Sequence, residues 1–170
     1  MGGEVTMSKL TASFNWYYTV YSDLFDRKTV LSLRNEADFI PIGTSPFYER
    51  FYGGGIGSLR GFKFRGVSPR SGPPANPLQD PVGGNFSWVS TAEINYPIYE
   101  EIIRGVVFVD VGDVEPDITI GTIRSDAGAG IRLTIPFLGK IPLALDFAVP
   151  VSKATGDKTQ YISFSLGIPF

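Results

Sequence analysis

Three acidic side chains stand where acid–base chemistry would need them. Glu93, Asp110 and Asp146 each occupy a polar position in a stretch where polar and apolar residues alternate. Because side chains alternate across a β-strand, all three project from the polar face of a predicted sheet. Two facing carboxylates of this kind carry out glycoside hydrolysis. A catalytic pair is therefore one interpretation of these residues.

Arginines interleaved with the acids favour a different interpretation. They occupy polar positions in the same set of stretches, at Arg34, Arg124 and Arg132. Cations placed among acids are typical of a balanced network of ion pairs rather than of a catalytic pair. The 170 residues also contain no His and no Cys, which excludes Ser–His–Asp triads, thiolate nucleophiles and zinc sites built from these ligands. We therefore predict that the chain is not an enzyme.

Composition and charge further limit the possible functions and folds. The acids show no EF-hand spacing, and a net charge of −2 provides no basic surface for nucleic acid. We therefore predict no metal, no cofactor and no nucleic-acid partner. The hydrophobic fraction is 43%, yet no apolar run approaches the roughly 18 residues of a membrane helix. Frequent Gly and Pro and the absence of helix-period segments favour an all-β fold.

A glycine-rich segment, residues 53–62 with the sequence GGGIGSLRGF, resembles a phosphate-binding loop only superficially. It lacks the Gly-Lys-Ser/Thr ending and the G-x-G-x-x-G spacing, and no helix follows it. It belongs to a proline-containing segment, 44–84, that shows no strand pattern and that we predict to be a long extracellular or lumenal loop. If this loop folds into a polar interior, Arg60 needs a partner, because an unpaired buried charge is very costly. We predict that Arg60 lies within salt-bridge reach of Asp110 or Glu93.

Alternating stretches organise the rest of the chain. Each has one apolar face and one polar face, and the charged residues concentrate on the polar face. The predicted strands are 8–21, 29–42, 85–98, 104–114, 124–136, 142–151 and 159–170. One such strand would also suit a soluble sandwich, but seven in series, ending in an aromatic residue, indicate an antiparallel transmembrane β-barrel with lipid outside and a polar lumen. Short and long connections alternate, as they do in outer-membrane barrels.

Several motifs resemble those of the BamA superfamily. The loop sequence L-R-G-F, which ends at Phe62, resembles the family's V-R-G-F/Y signature, and Phe108–Asp113 resembles its F-x-D-x-G strand. Further matches follow in family order over about residues 44–170. The terminal run resembles a C-terminal insertion signal and contributes Phe164, Leu166, Ile168 and Phe170.

The resemblance implies a part in folding and inserting β-barrel proteins into the bacterial outer membrane. Its implied partners are membrane lipids, client outer-membrane proteins and assembly lipoproteins. The implied loop-anchoring motif is Arg60, Gly61 and Phe62, and the implied lumenal partners are Glu93, Phe108, Asp110 and Asp146. A polypeptide-secretion translocator of the same superfamily and a passive pore or structural barrel are the alternatives.

How the barrel closes is the last expectation. The resemblance implies that residues 1–170 form a single C-terminal barrel domain, a fragment of a larger barrel, since the family's barrel has more strands than the seven predicted here. The lack of a signal peptide before the first strand agrees with a fragment. Unpaired strand edges are costly in lipid. The chain therefore either closes on itself as a barrel of seven strands, or of eight with Gly2–Met7 as a short eighth strand, or pairs with a second copy in a homodimer. We predict self-closure. An eight-strand lumen would leave no room for residues 53–62, so this prediction competes with the pairing of Arg60.

Overall fold

Seven strands form one antiparallel sheet in a computed structural model of the chain. The structure describes residues 7–43, 45–72, 80–100, 102–135 and 141–167. In chain order, the strands are β1 (Met7–Ser22), β2 (Lys28–Gly43), β3 (Phe86–Tyr99), β4 (Ile103–Glu115), β5 (Arg124–Ile135), β6 (Ile141–Ser152) and β7 (Ile162–Leu166). Each strand pairs with the next one along the chain. The predicted all-β antiparallel fold is confirmed, and the first six strands lie within one residue of their predicted bounds.

The two faces of the sheet differ as the alternation predicts. On β4, Val107 and Val109 are 52% and 45% exposed on the outer face. Between them and beside them, Val106, Phe108 and Asp110 are buried on the inner face. This burial arises because the segment between β2 and β3 lies against the inner face, so polar side chains there contact protein rather than water. An outer apolar face of this kind suits lipid.

β1 departs from this pattern because both of its faces are exposed. Phe14, on the apolar parity, is 62% exposed, and Tyr17, on the polar parity, is 58% exposed. β1 forms one edge of the sheet. The loop contacts that bury the inner faces of β3, β4 and β6 do not reach the middle of this strand.

The sheet is open. β1 and β7 are its two edges, and no ladder joins them in the described part of the chain. The prediction of self-closure is therefore wrong. A seam between the first and seventh strands of an up-and-down sheet would be parallel, and the loop occupies the interior that a small barrel fills with its own side chains. Of the predicted eighth strand, Met7 is the first residue of β1, and the rest lies outside the described residues.

β7 is shorter than predicted. The ladder between β6 and β7 joins Leu143–Phe147 to Ile162–Leu166, whereas the sequence pattern predicts a strand over 159–170. Residues 168–170 lie outside the described residues. Thr159 and Gln160 pair with the loop between β2 and β3, whereas the Tyr161 carbonyl still accepts the N–H of Ala148 in β6. No helix of the described residues is long and apolar enough to span a membrane.

Candidate functional site

The loop between β2 and β3 folds into a compact unit before it reaches the sheet. Gly55 donates its N–H to the carbonyls of both Leu59 and Phe62, at 3.0 and 2.9 Å. Gly54 has a φ of +96°, and a side chain there would place its Cβ 2.4 Å from the carbonyl oxygen of Lys63. Only glycine fits such a position. Three apolar side chains of the unit, Leu59, Phe62 and Val67, pack together with Val114 of β4.

This unit presents Arg60 to the inner face of β3 and β4. The guanidinium donates to both carboxylate oxygens of Asp110, from Nε at 2.8 Å and from Nη2 at 2.9 Å. Its third nitrogen, Nη1, donates to Glu93 at 2.7 Å. The planar group also lies on the ring of Phe108, with Cζ 3.3 Å from the ring centroid. The predicted contact of Arg60 with Asp110 or Glu93 is present, with both acids.

More side chains surround this contact, and together they make the inner cluster: Arg60, Glu93, Asp110, Arg132 and Asp146. Arg132 bonds Asp146 at 2.5 Å and lies 3.6 Å from Glu93. Arg60 is itself 3.8 Å from Asp146. Each acid of the cluster thus bonds a guanidinium, and the cluster joins the loop to four strands, β3 to β6.

The electrostatics of the inner cluster keep Arg60 charged. Arg60 is 5% exposed, and its burial disfavours the cation. Asp110 and Glu93 outweigh burial and raise the pKa of Arg60 above its ordinary value. Thr91 donates its hydroxyl to Asp110 at 2.8 Å and satisfies one more lone pair. A bidentate arginine pair with its remaining groups satisfied is the arrangement in which a buried ion pair holds a defined geometry.

Gly61 and Phe62 continue the motif with different contacts. A Cβ on Gly61 would stand 2.6 Å from the Cβ of Asp126, whose residue lies opposite Asp110 in the ladder of β4 and β5. Phe62 is fully buried and forms an isolated antiparallel bridge with Thr159. The three residues of the motif are therefore all in contact with the sheet or with the segment that leads into β7.

Two residues near β7 complete the site, and the sequence analysis did not identify them. Gln160 donates its backbone N–H to the carbonyl of Gly61 at 2.9 Å. Ser163 donates its hydroxyl to the carbonyl of Arg60 at 3.2 Å. Ser163 lies 103 residues from Arg60 in sequence. Its polar parity is the only signal the sequence carries for this contact.

A second set of charges, the rim cluster, lies where β4 ends and β5 begins: Asp113, Glu115, Arg124 and Asp157. Arg124 bonds Asp113 through Nη1 and Asp157 through Nε at 3.2 Å, and lies 3.6 Å from Glu115. Asp113 has the parity of the outer face but is 1% exposed. Its side chain turns inward because Arg124 and the N–H of Gly121 bond it.

The residues of the predicted insertion signal fall into two groups. Phe164 and Leu166 lie on the outer face of β7 and are 61% and 62% exposed. Ile168 and Phe170 lie outside the described residues. In the described ranges, no group of three or more acidic side chains is arranged to hold a metal ion.

Comparison with known proteins finds one matching family model and several similar proteins. A family model described as the Omp85 superfamily domain matches residues 1–170. The outer membrane protein assembly factor BamA of Neorickettsia risticii is 30% identical over 184 residues, which cover 100% of this chain and 23% of that protein. The human sorting and assembly machinery component 50 homolog is 29% identical over 153 residues, which cover 77% of this chain and 31% of that protein. The chain spans less than a third of the length of these relatives.

A solved structure shares the fold. The crystal structure of BamA from Haemophilus ducreyi lacking POTRA domains 1–3 matches with a TM-score of 0.74 at 22% identity. The match covers 92% of this chain and 34% of that one. The resemblance to the BamA superfamily is thus confirmed, since the family model extends over the full length of the chain. The chain belongs to the Omp85 superfamily and is an integral protein of the outer membrane.

Proposed function

We propose that the chain is the C-terminal barrel portion of an assembly factor that folds and inserts β-barrel proteins into the outer membrane. One relative named above is an outer membrane protein assembly factor by name, and another is a sorting and assembly machinery component by name. The observation that carries the proposal lies in the structure. A loop inside the sheet is bonded by Arg60 to the lumen wall and by its backbone to the entrance of the last strand, whose second edge is open.

The open edge of β7 is the working surface in this proposal. β6 pairs with one edge of β7, and the backbone groups of the other edge face no strand in the described part of the chain. In lipid such groups must pair, because each unsatisfied one costs several kcal/mol. A client strand can satisfy them by adding to the sheet, which is strand augmentation within a membrane. The proposed function is non-enzymatic, since the charged groups of the inner cluster form ion pairs with one another.

These seven strands do not close a barrel, so further strands are needed. We propose that the same polypeptide supplies them, because the relatives are several times longer than this chain. A homodimer is the competing way to close the barrel. Light scattering in detergent separates the two: a monomer supports closure by one polypeptide, and a stable dimer paired along β7 contradicts it. Client outer-membrane proteins, assembly lipoproteins and membrane lipids are the proposed partners.

Reconstitution tests the function. The full-length protein is placed in lipid vesicles, and the folding of an added, unfolded outer-membrane protein is followed by its resistance to protease. We expect faster folding than in empty vesicles and a loss of this gain in Arg60→Ala. Arg65→Ala is the matched control, because Arg65 lies in the same loop, is exposed and stacks on Tyr52 at 4.4 Å instead of bonding the lumen wall.

Other outcomes of this experiment contradict the proposal. Ion conductance without faster client folding would indicate a passive pore. Transfer of the unfolded polypeptide across the bilayer, without insertion, would indicate a secretion translocator. Equal client folding by Arg60→Ala and Arg65→Ala would show that assembly does not depend on the contact of Arg60 with the lumen wall.

A further inference from the structure

The backbone groups of β7 alternate between its two edges. On one side of the ladder with β6, the Ala148 N–H donates to the Tyr161 carbonyl at 3.0 Å. On the other side, the Gly167 N–H donates to the Pro142 carbonyl at 2.9 Å. In an antiparallel ladder, only every second residue of a strand bonds a given neighbour. The odd-numbered residues of this segment therefore direct their N–H and C=O groups to β6, and the even-numbered residues direct theirs to the open edge.

The loop between β2 and β3 bonds the open-edge side of the segment that leads into β7. The N–H of Lys63 donates to the carbonyl of Lys158 at 2.9 Å, and the N–H of Lys158 donates to the carbonyl of Gly66 at 3.1 Å. Gln160 adds the bond to Gly61 described above, next to the antiparallel bridge of the loop with this segment. Because Lys158 and Gln160 are even-numbered, the loop lies on the edge opposite to β6.

The loop leaves this edge where β7 begins. If its antiparallel register continued, Leu59 would lie opposite Ile162. The carbonyl of Leu59 instead accepts two N–H groups of the loop itself, and Arg60 turns to the lumen wall. In the described part of the chain, no backbone bond reaches the open-edge groups of Ile162, Phe164 and Leu166. The loop thus covers only the part of the edge that precedes β7.

The uncovered part of the edge suits one kind of partner. The side chains of Ile162, Phe164 and Leu166 are apolar and exposed on the outer face, whereas Ser163 and Ser165 are polar and buried on the inner face. A strand added here continues both faces only if its own apolar and polar residues alternate in the same way. The fitting partner is therefore a transmembrane strand of an outer-membrane protein.

We propose that the loop is a stop for client strands that add to the open edge of β7. A client strand bonds the backbone of Ile162, Phe164 and Leu166 and ends before Gln160, because the loop already bonds Lys158 and Gln160. Proteins cover exposed strand edges with loops to prevent further pairing. The stop limits how far a client strand extends along the edge. The client as partner rests on the proposed function, whereas the cover by the loop does not.

A single glycine allows the cover to be removed without removing Arg60. A Cβ at Gly66 would lie 2.5 Å from the carbonyl oxygen of Lys158 and 2.7 Å from that of Lys63. Gly66→Ala therefore forces the loop away from the segment but deletes no partner of Arg60. Gly57→Ala is the matched control, because a Cβ there meets no atom within 4 Å and its φ of +84° strains the loop without contact to β7.

Hydrogen exchange of the full-length protein in lipid vesicles tests the cover. The Lys158 and Gln160 amides should exchange slowly in the unchanged protein and in Gly57→Ala. In Gly66→Ala they should exchange about tenfold faster, the order of one lost hydrogen bond. The Ala148 amide, which bonds β7 from β6, should stay protected in all three proteins. Unchanged protection of Lys158 and Gln160 in Gly66→Ala would overturn the cover, and so would a loss of protection that includes Ala148.

Disulfide cross-linking to a client tests the stop. The chain contains no Cys, and Lys158 and Ile162 have the same parity, so Lys158→Cys and Ile162→Cys report the two sides of the stop in a full-length protein without other Cys. The probe is an unfolded outer-membrane protein with single Cys residues along its last strand, since directly opposed strand residues lie within the Cα distance of a disulfide. We expect disulfides with Ile162→Cys but not with Lys158→Cys, and with both once Gly66→Ala is added.

Each other outcome contradicts one part of the proposal. Disulfides with Lys158→Cys beside an unchanged loop would overturn the stop, as would their absence in Gly66→Ala while Ile162→Cys still reacts. No client disulfide with Ile162→Cys would overturn the client as partner and contradict the proposed function, while hydrogen exchange still decides the cover. Disulfide-linked dimers of Ile162→Cys formed without a client would assign the edge to a second copy.

Discussion

The inner cluster places two buried arginines among three carboxylates and the rim cluster places one among three, and the acids of the two clusters differ in what else they bond. At the rim, Asp113 also accepts the N–H groups of Gly121 and Val114, at 2.7 and 2.8 Å. Asp157 accepts the N–H of Ala154 at 2.7 Å. In the inner cluster, Asp110 accepts the hydroxyl of Thr91, and its backbone donor is the N–H of Arg60 itself, at 3.3 Å, which belongs to the loop and not to a turn beside the acid.

This difference indicates different roles for Arg60 and Arg124. Rim acids bonded by backbone groups keep a partner if Arg124 is lost, because the neighbouring turns supply the donors. The inner acids depend on a guanidinium delivered by a loop, 50 and 33 residues away in sequence for Asp110 and Glu93. The rim cluster therefore reinforces turns that already have their own bonds, whereas the inner cluster decides where a loop lies.

The largest effect should follow from removing Arg60. Arg60→Ala leaves buried carboxylates without their main cation, which typically costs about 3–5 kcal/mol. Thermal unfolding in detergent measures the loss, and protease cleavage of the loop shows its release. The stability of Arg60→Lys should lie between that of Arg60→Ala and that of the unchanged chain, since lysine keeps the charge but cannot bond Asp110 through two nitrogens. A lysine variant as stable as the unchanged chain would contradict the bidentate role.

Removing the rim arginine should cost less. In Arg124→Ala, Asp113 and Asp157 retain backbone donors, so the expected loss is that of charged hydrogen bonds, about 1.5–3 kcal/mol. The same unfolding measurement applies, and the loop around Arg60 should stay as protected from protease as before. A loss equal to that of Arg60→Ala would remove the distinction between the clusters.

A smaller and local loss of stability should come from adding a side chain at Gly61, which removes no charge of the inner cluster. Gly61→Ala places a Cβ 2.6 Å from the Cβ of Asp126, and such overpacking costs about 1–3 kcal/mol. A double-mutant cycle with Asp126→Gly, which removes the opposing Cβ, should recover much of the loss. Additive losses in the cycle would place the strain elsewhere.

The smallest effect should come from a half-buried pair, Asp23 and Arg27, in the exposed turn between β1 and β2. The pKa of Asp23 is lowered because the backbone N–H of Arg27 donates to its carboxylate, with the Arg27 side chain and the Phe25 N–H adding to the effect. A lowered pKa means that the carboxylate supports the turn at neutral pH and loses this role as the pH falls through its titration.

Hydrogen exchange of the Phe25 and Arg27 amides, corrected for the intrinsic rate, measures this loss. In Asp23→Asn, protection should no longer vary with acid, because the amide oxygen accepts at every pH. Protection that still falls with acid in this variant would assign the effect to another group. Since the turn is exposed, global stability should hardly change.

Much of the fold could be predicted from alternation and motifs. Periodicity of two indicates a strand and its two faces directly, so six strands lie within a residue of their predicted bounds. The pairing of Arg60 with Asp110 or Glu93 was also predictable, because a buried arginine needs an acid, both acids project inward by parity, and the motifs resemble those of the family. Gln160 and Ser163 could not be identified, since one contact uses backbone atoms and the other an unremarkable serine.

By itself, the sequence determined the strands, the apolar outer face and the need for a partner to Arg60, because these follow from the type of each residue and its nearest neighbours. Tertiary structure alone decided the open sheet, the inward turn of Asp113 and the pairing of residues 158–160 with the loop. The physical reason is range. Alternation is local, whereas the pairing of residues 158–160 depends on which backbone groups the folded loop brings within hydrogen-bond distance.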